Sequence, residues 1–322
     1  SVVYGLRRDV RQAQRLGQYT LIEKLGEGGM GSVYRASHAL LRRPTAVKLL
    51  PQEKAGRDSL ERFEREVQLT ATLTHPNTNT IFDYGRTPTG VLYYAMELVD
   101  GPTLQEEVEQ RGPQPPARVA HVLAQAAGAL AEAHEAGLIH RDIKPANIML
   151  CTHGGFADVV KVLDFGLVKT TKRGPDASLT NVDTIKGTPH YMSPEAIRSP
   201  EKVAASSDVY ALGAVGYFLL TGHTVFDGES AVEVCGHHLH TEPMPPSDRL
   251  DAHVPPALEA FLLECLDKDP DSRPRCDLVK VPGDLCALFV GAVNHRPIKK
   301  SRNLVGLLSR IVCRRSWVDN VD

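Results

Sequence analysis

The sequence predicts an α+β fold in two unequal parts: a small β-rich part with one helix, then a larger and mainly helical part. Three observations predict it. Tyr19–Leu25, Ser32–Ala39 and Thr45–Leu50 read as strands, with Ile81–Tyr84 and Val91–Leu98 as two more. A Glu- and Arg-rich stretch at Asp58–Leu73 reads as the single helix among them. After Gly101 the character changes: Val119, Val122, Leu123, Ala126 and Leu130 recur at helical spacing, and Gly137 is a stop signal. Further helices are expected near 206–221, 229–240, 257–267 and 275–290, and no internal repeat is visible.

These elements divide the chain. Residues 1–18 form a basic leader or short helix, with Arg7, Arg8, Arg11 and Arg15. The two parts occupy 19–98 and 99–291, joined by a short hinge near Glu97–Gly101. Residues 292–322 form a basic tail in which Lys299, Lys300, Arg302, Arg310, Arg314 and Arg315 sit among Leu304, Leu307, Leu308 and Ile311, an amphipathic helical pattern. A charge run of this kind is most simply a solvated face.

Composition limits the function. The 322 residues carry a net charge of −2, with 42% hydrophobic and 24% charged residues, ordinary values for a soluble globular chain. Nothing in that balance marks a nucleic-acid binder. The longest apolar stretch, Ala211–Leu220, falls far short of the ~20 residues a membrane-spanning helix needs. It reads as a buried helix, and any membrane tether would lie in the tail or outside this chain. The six cysteines show no C-x-x-C pair, so they read as free thiols in a reducing compartment, which points to the cytoplasm.

Four motifs carry chemistry. Gly26-Glu27-Gly28-Gly29-Met30-Gly31-Ser32-Val33 fits G-x-G-x-x-G-x-V, a turn whose glycines let backbone amides approach phosphate oxygens. A dinucleotide loop would open a helix, whereas Ser32–Ala39 reads as a strand. Ala46-Val47-Lys48 follows on the third strand; a buried ammonium needs anions, which phosphates and Glu66 on the next helix would supply. His140-Arg-Asp142-Ile-Lys144-Pro-Ala-Asn147 is the strongest signal. Its carboxylate can orient a hydroxyl and accept its proton, and its amide oxygen can hold magnesium. Asp164-Phe-Gly166 adds a second hard oxygen ligand for magnesium.

The order of these motifs, closed by Ser193-Pro194-Glu195, resembles the protein kinase superfamily over about residues 19–290. Phrases such as Gly-Glu-Gly-Gly-Met-Gly and Asp-Val-Tyr-Ala-Leu-Gly look most like the bacterial eukaryotic-like serine/threonine kinases. The resemblance implies the two-lobed kinase fold, ATP and Mg2+ as cofactors, and proteins carrying Ser or Thr as substrates. It implies that Lys48 holds the α- and β-phosphates and pairs with Glu66, that Asp142 is the catalytic base, and that Lys144 steadies the γ-phosphate. Asn147 and Asp164 would bind the metal. Val33, Ala46 and Met149 would sandwich the base, with Met96 as gatekeeper and the backbone of Glu97 and Val99 facing adenine. Asp208 would anchor the catalytic loop, and Glu195 would pair with Arg273. Lys144 and Gly187-Thr188 are what serine/threonine kinases carry, with Thr188 on the substrate floor. Activation-loop phosphorylation, delivered through self-association in trans, is part of the same expectation. The alternatives are a catalytically weak pseudokinase acting as a scaffold, a small-molecule kinase of similar fold, and a pure interaction protein.

Two departures are small. Ser193 replaces the usual Ala, and the gap from Asn147 to Asp164 is long enough for Cys151–Asp158 to form an extended hairpin. Two bland readings complete the pass. Tyr93 and Tyr94 read as strand packing. Cys235, His237, His238 and His240 fall on an expected surface helix and match no closed zinc spacing.

Overall fold

Residues 15–28, 31–50, 57–87, 90–165 and 189–276 are described by the computed structural model. The first part is a six-stranded antiparallel sheet built from β1 (Arg15–Leu16), β2 (Tyr19–Gly28), β3 (Gly31–His38), β4 (Pro44–Leu49), β5 (Ile81–Arg86) and β6 (Leu92–Glu97). Its strand order is β1-β2-β3-β4-β6-β5. One helix, α1 (Arg57–Ala71), lies between β4 and β5 in sequence. The central strands β4 and β6 are buried along nearly their whole length, because both faces of the sheet are covered. One face packs Ala46, Leu50, Val67, Leu92, Tyr94 and Met96; the other packs Leu16, Tyr19, Ala36, Val47, Tyr93 and Ala95. Successive side chains point to opposite faces, so the adjacent Tyr93 and Tyr94 serve different clusters.

Arg15 and Leu16 turn back on Gly17 and pair with Thr20 and Tyr19. In the sequence they belong to the basic leader, since a two-residue strand is too short to show a period. Yet Leu16 is buried and extends the sheet at the β2 edge. Residues 1–14 lie outside the described residues.

The second part is helical: α2 (Leu104–Arg111), α3 (Pro116–Glu135), α4 (Pro194–Arg198), α5 (Ala205–Thr221), α6 (Ala231–His240), α7 (Pro246–Leu250) and α8 (Pro256–Cys265). A two-stranded hairpin, β7 (Ile148–His153) with β8 (Phe156–Val162), turns on Gly154-Gly155 and forms the extended loop expected around Cys151–Asp158. Helix α2 is not among the expected elements, although its signal is in the sequence. Thr103 and Glu106 form a capping box, each side chain closing a backbone N–H of the first turn. The expected helix at 275–290 falls mostly outside the described residues, as does the tail.

Helix α5 is the centre of this part, buried from Ser207 to Thr221. Two glycines let neighbours approach it. A Cβ on Gly213 would lie 2.5 Å from Cβ of Cys265, and one on Gly216 would lie 2.5 Å from Cδ2 of Leu262. Gly213→Ala is therefore expected to destabilise the fold by about 1–3 kcal/mol, the usual cost of overpacking a closed core. Urea unfolding of the variant measures it.

Helix α6 corrects an expectation. It is not a surface helix throughout, since Val234, Cys235 and His238 are buried. Nδ1 of His238 lies 2.8 Å from the Tyr210 hydroxyl, and burial, then the nearby Lys268 charge, pushes the imidazole down to about 3. His238 is thus a neutral core histidine. Among the described residues no group of three or more His, Cys, Asp or Glu is placed to hold a metal. Cys151, Cys235, Cys265 and Cys276 are free thiols. No helix among the described residues is long and apolar enough to cross a membrane.

Candidate active site

The site is assembled on the first turn of α5. Asp208, 1% exposed, accepts the backbone N–H of His140 on Oδ2 and that of Arg141 on Oδ1, each at 2.8 Å. Nε2 of His134 also meets Oδ2 at 2.8 Å. Two consecutive amides on one carboxylate hold a tight turn, and Arg141 adopts a left-handed φ of 63° within it. Nε2 of His140 lies 2.8 Å from the Leu163 carbonyl, and the Asp142 amide lies 3.3 Å from Nδ1. Those partners assign a neutral ring with the proton on Nε2. Burial holds the His140 pKa below its ordinary value, consistent with that form. His140 therefore ties the 140–147 loop to the end of β8, and its ring packs against Phe165 with centroids 4.8 Å apart.

The loop delivers three polar side chains together. Nζ of Lys144 lies 3.0 Å from Oδ2 of Asp142. Asn147 donates through Nδ2 to the Asp142 carbonyl at 2.8 Å and to Asp142 Oδ2 at 3.0 Å. With Nδ2 committed, the oxygen is what the Asn147 amide would offer a cation. Across from it, Asp164 follows β8 with a left-handed φ of 56°. Lys48 donates to Asp164 Oδ2 at 2.6 Å, and the Tyr94 hydroxyl donates to Oδ1 at 2.8 Å. Burial alone would push the Asp164 carboxyl up. The Lys48 ammonium and the bonds from Lys48 and Tyr94 outweigh it and hold the carboxyl below its ordinary value. Lys48 is itself buried, with a side chain 5% exposed, so an anion beside it is obligatory.

The glycine-rich turn joins β2 to β3, with Gly26 opposite Val33, Glu27 opposite Ser32 and Gly28 opposite Gly31. Gly29 lies outside the described residues, and Glu27 pairs with Lys24. Gly31 has φ +128°, and a Cβ there would lie 2.0 Å from the Leu49 carbonyl oxygen, so only glycine fits. Val33 stands opposite Lys48, and Ala46 opposite Met96, in consecutive registers of the sheet. Met149 lies in the second part, where it bridges to Thr103 just after the connection. Gly101, at φ +149°, allows that approach: a Cβ there would lie 1.9 Å from the Leu150 carbonyl oxygen. Val33, Ala46, Met96 and Met149 thus come from both parts, with Glu97 and Val99 on the connection between them. Glu66 is half-buried on α1, one residue before the core residue Val67. Thr188 and Gly166 lie outside the described residues.

Below the site, Arg273 makes a bidentate pair with Glu195, at 2.8 Å to Oε1 and 3.0 Å to Oε2. The pair ties the residues after the 166–188 segment to the end of the second part.

Two residues escaped the sequence reading. Tyr94 was read as strand packing, but its hydroxyl reaches Asp164; a phenol on a fully buried face needs a polar partner, and that was the available signal. Lys161, 7% exposed, donates to Glu97 Oε2 at 2.8 Å and to the Thr78 carbonyl at 3.4 Å. A lone Lys among Val159, Val160 and Val162 carried the same kind of signal.

The sequence matches the family described as the protein kinase domain over residues 19–281. It is 40% identical over 260 residues to the serine/threonine-protein kinase pkn3 of Myxococcus xanthus, covering 80% of this chain and 47% of that protein. It is 43% identical over 274 residues to the serine/threonine-protein kinase PknB of Mycolicibacterium smegmatis, covering 82% of this chain and 43% of that one. The chain thus spans less than half the length of these curated relatives. Among solved structures, the kinase domain of PknI from Mycobacterium tuberculosis superposes with a TM-score of 0.65 at 25% identity, covering 84% of this chain and 97% of that one.

Proposed function

The chain belongs to the protein kinase family, and from that premise we propose that it transfers the γ-phosphoryl group of ATP to serine and threonine hydroxyls of proteins. The observation that carries the reading is one constellation: Asp142 joined to Lys144 and Asn147 within 3.0 Å, and an Asp164 paired with Lys48 at 2.6 Å, the two segments tied by the Leu163 amide on the Asn147 carbonyl at 2.9 Å. Phosphoryl transfer asks mainly for positioning and charge, and these groups provide both.

Asp142 orients the acceptor hydroxyl and takes its proton. Lys144, beside it, steadies the γ-phosphate. Lys48, supported by Glu66, holds the α- and β-phosphates under the turn of Gly26, Glu27, Gly28, Gly29 and Gly31. Val33, Ala46 and Met149 sandwich adenine, Met96 closes the back, and the backbone of Glu97 and Val99 bonds the base edge. Thr188 shapes the substrate floor. The Asn147 amide oxygen and the Asp164 carboxylate are hard donors suited to magnesium, which when bound supplies a divalent charge for the phosphate oxygens. The working compartment is the cytoplasm, where ATP is supplied and free thiols stay reduced.

The test uses labelled ATP, magnesium and peptide pools with Ser, Thr or Tyr as sole acceptor. Label on Ser and Thr pools is the expected result. Label on Tyr pools alone would overturn it, and nucleotide binding without transfer to any pool would favour the scaffold reading.

Phosphorylation between Asp164 and Glu195 is expected to activate the enzyme, with Thr180 and Thr184 as acceptors, ATP as phosphoryl donor and a second copy as the acting kinase. A phosphate brings about −1.5 to −2 charges, and each charge-assisted bond to Arg141 or Lys169 contributes about 1.5–3 kcal/mol. The Thr180→Ala, Thr184→Ala double variant should lose about tenfold or more of its activity. Mass spectrometry after autophosphorylation and peptide assays check both halves.

A further inference from the structure

We propose that Tyr94 is a positioning residue for the metal-binding carboxylate: its hydroxyl fixes the plane of Asp164 and so raises the affinity for magnesium–nucleotide. The inference rests on the assignment of Asp164 as a metal ligand made above.

A carboxylate turns easily about its last torsion, where rotamer preference is broad. Asp164 is held at both oxygens, by Tyr94 on Oδ1 at 2.8 Å and by Lys48 on Oδ2 at 2.6 Å. The two donors form a matched pair, because Lys48 and Tyr94 are direct cross-strand partners in the β4–β6 register and project from the same face. They do not have the same duties, however. Lys48 is the residue assigned to the nucleotide phosphates, so its hold on Asp164 is shared once nucleotide is bound. Tyr94 is 1% exposed and stands on an inner strand between β4 and β5, with no route to phosphate assigned to it. Its donor stays on Oδ1 while Oδ2 is free to turn to a cation.

A second link keeps the alignment. Three residues along β6, Glu97 pairs with Lys161 at 2.8 Å, and Lys161 stands three residues before Asp164. Strand β6 and the end of β8 are thus tied at 94–164 and 97–161, as rungs of one ladder between the two parts. Tyr94 cannot slide along Asp164 while the other rung holds. Groups that hydrogen-bond a metal's carboxylate ligand typically change metal affinity about 10–100-fold when removed.

The test is the affinity of a fluorescent ADP analogue for Tyr94→Phe, titrated with and without magnesium, alongside Tyr93→Phe. Tyr93 carries the neighbouring hydroxyl on the opposite face of the sheet. Tyr94→Phe is expected to need about 10–100-fold more magnesium for half of the metal-dependent gain in affinity. Its metal-free affinity and the Tyr93→Phe curve should match wild type. Tyr94→Met, which fills the space without a hydroxyl, is read the same way and should agree. An unshifted magnesium curve in either Tyr94 variant overturns the proposal, as does an equal loss with and without metal, which marks a packing role. A wild-type chain with no magnesium-dependent gain would instead remove the assignment of Asp164 itself.

Discussion

Asp142→Asn is expected to cut phosphoryl transfer by about 10²–10⁴-fold while nucleotide binding stays near wild type. The loss follows from what the amide cannot do. Asp142 receives Nδ2 of Asn147 on Oδ2 and lies 3.0 Å from the Lys144 ammonium. The substitution removes the charge that balances Lys144 and the site that would accept a hydroxyl proton. The nucleotide-holding groups, Lys48 and Asp164, belong to a separate pair and keep their contacts. The measurement is a peptide-phosphorylation rate beside nucleotide binding by calorimetry. Wild-type turnover in the variant would reject the role given to Asp142, and lost binding would show that the two groups of residues are not separable.

Arg273→Ala is expected to destabilise the second part by about 3–5 kcal/mol. The Arg273 side chain is fully buried, and that of Glu195 is 11% exposed. Arg273 also donates to the carbonyls of Asp267, Ser206 and Lys268, and its guanidinium stacks 4.9 Å from the Tyr210 ring centre. Truncation would leave Glu195 with the Ser207 hydroxyl at 2.6 Å and no counter-charge. Lysine should rescue little, since a single ammonium cannot reproduce the planar fork. The same pair gives an acid limit. Burial would raise the Glu195 carboxyl, but Arg273 and Ser207 outweigh it and hold it below its ordinary value. A depressed carboxylate stabilises the fold above its unfolded value, and that stability fades as pH falls through the folded value. Thermal melts of Arg273→Ala against wild type, at neutral pH and in acid below the ordinary carboxylate range, check both statements.

Much of the fold was legible because its elements are long and periodic. The strands from Tyr19 to Glu97, and the helices at 116–135 and 205–221, match expectation within a few residues, since period and burial agree there. Legibility failed where the signal was short or depended on a partner distant in sequence. Leu16 reveals its place only by pairing with Tyr19. His238 is polar in composition and became a core residue because Tyr210 answers its ring nitrogen. The site divides in the same way. Asp142, Lys144 and Asn147 are close in sequence and could be read as one motif. The bond from Tyr94 to Asp164 spans 70 positions, and the Glu97–Lys161 pair spans 64. No local pattern encodes such pairs. What the sequence does show is a polar tip on an apolar strand, which requires a partner without naming it.

Helix α5 imposes an order on synthesis. It emerges with apolar residues around its whole circumference, but its cover is spread along the chain: α3 is made earlier, and α8 comes later, packing Leu262 and Cys265 against Gly216 and Gly213. At about 5–20 residues per second, a nascent chain carries α5 half-clothed for seconds before α8 leaves the ribosome. Through that interval an apolar surface that the finished fold buries is open to other chains. Any product that stops short of Pro256 keeps that surface permanently, so truncation there yields an adhesive fragment in place of a smaller domain.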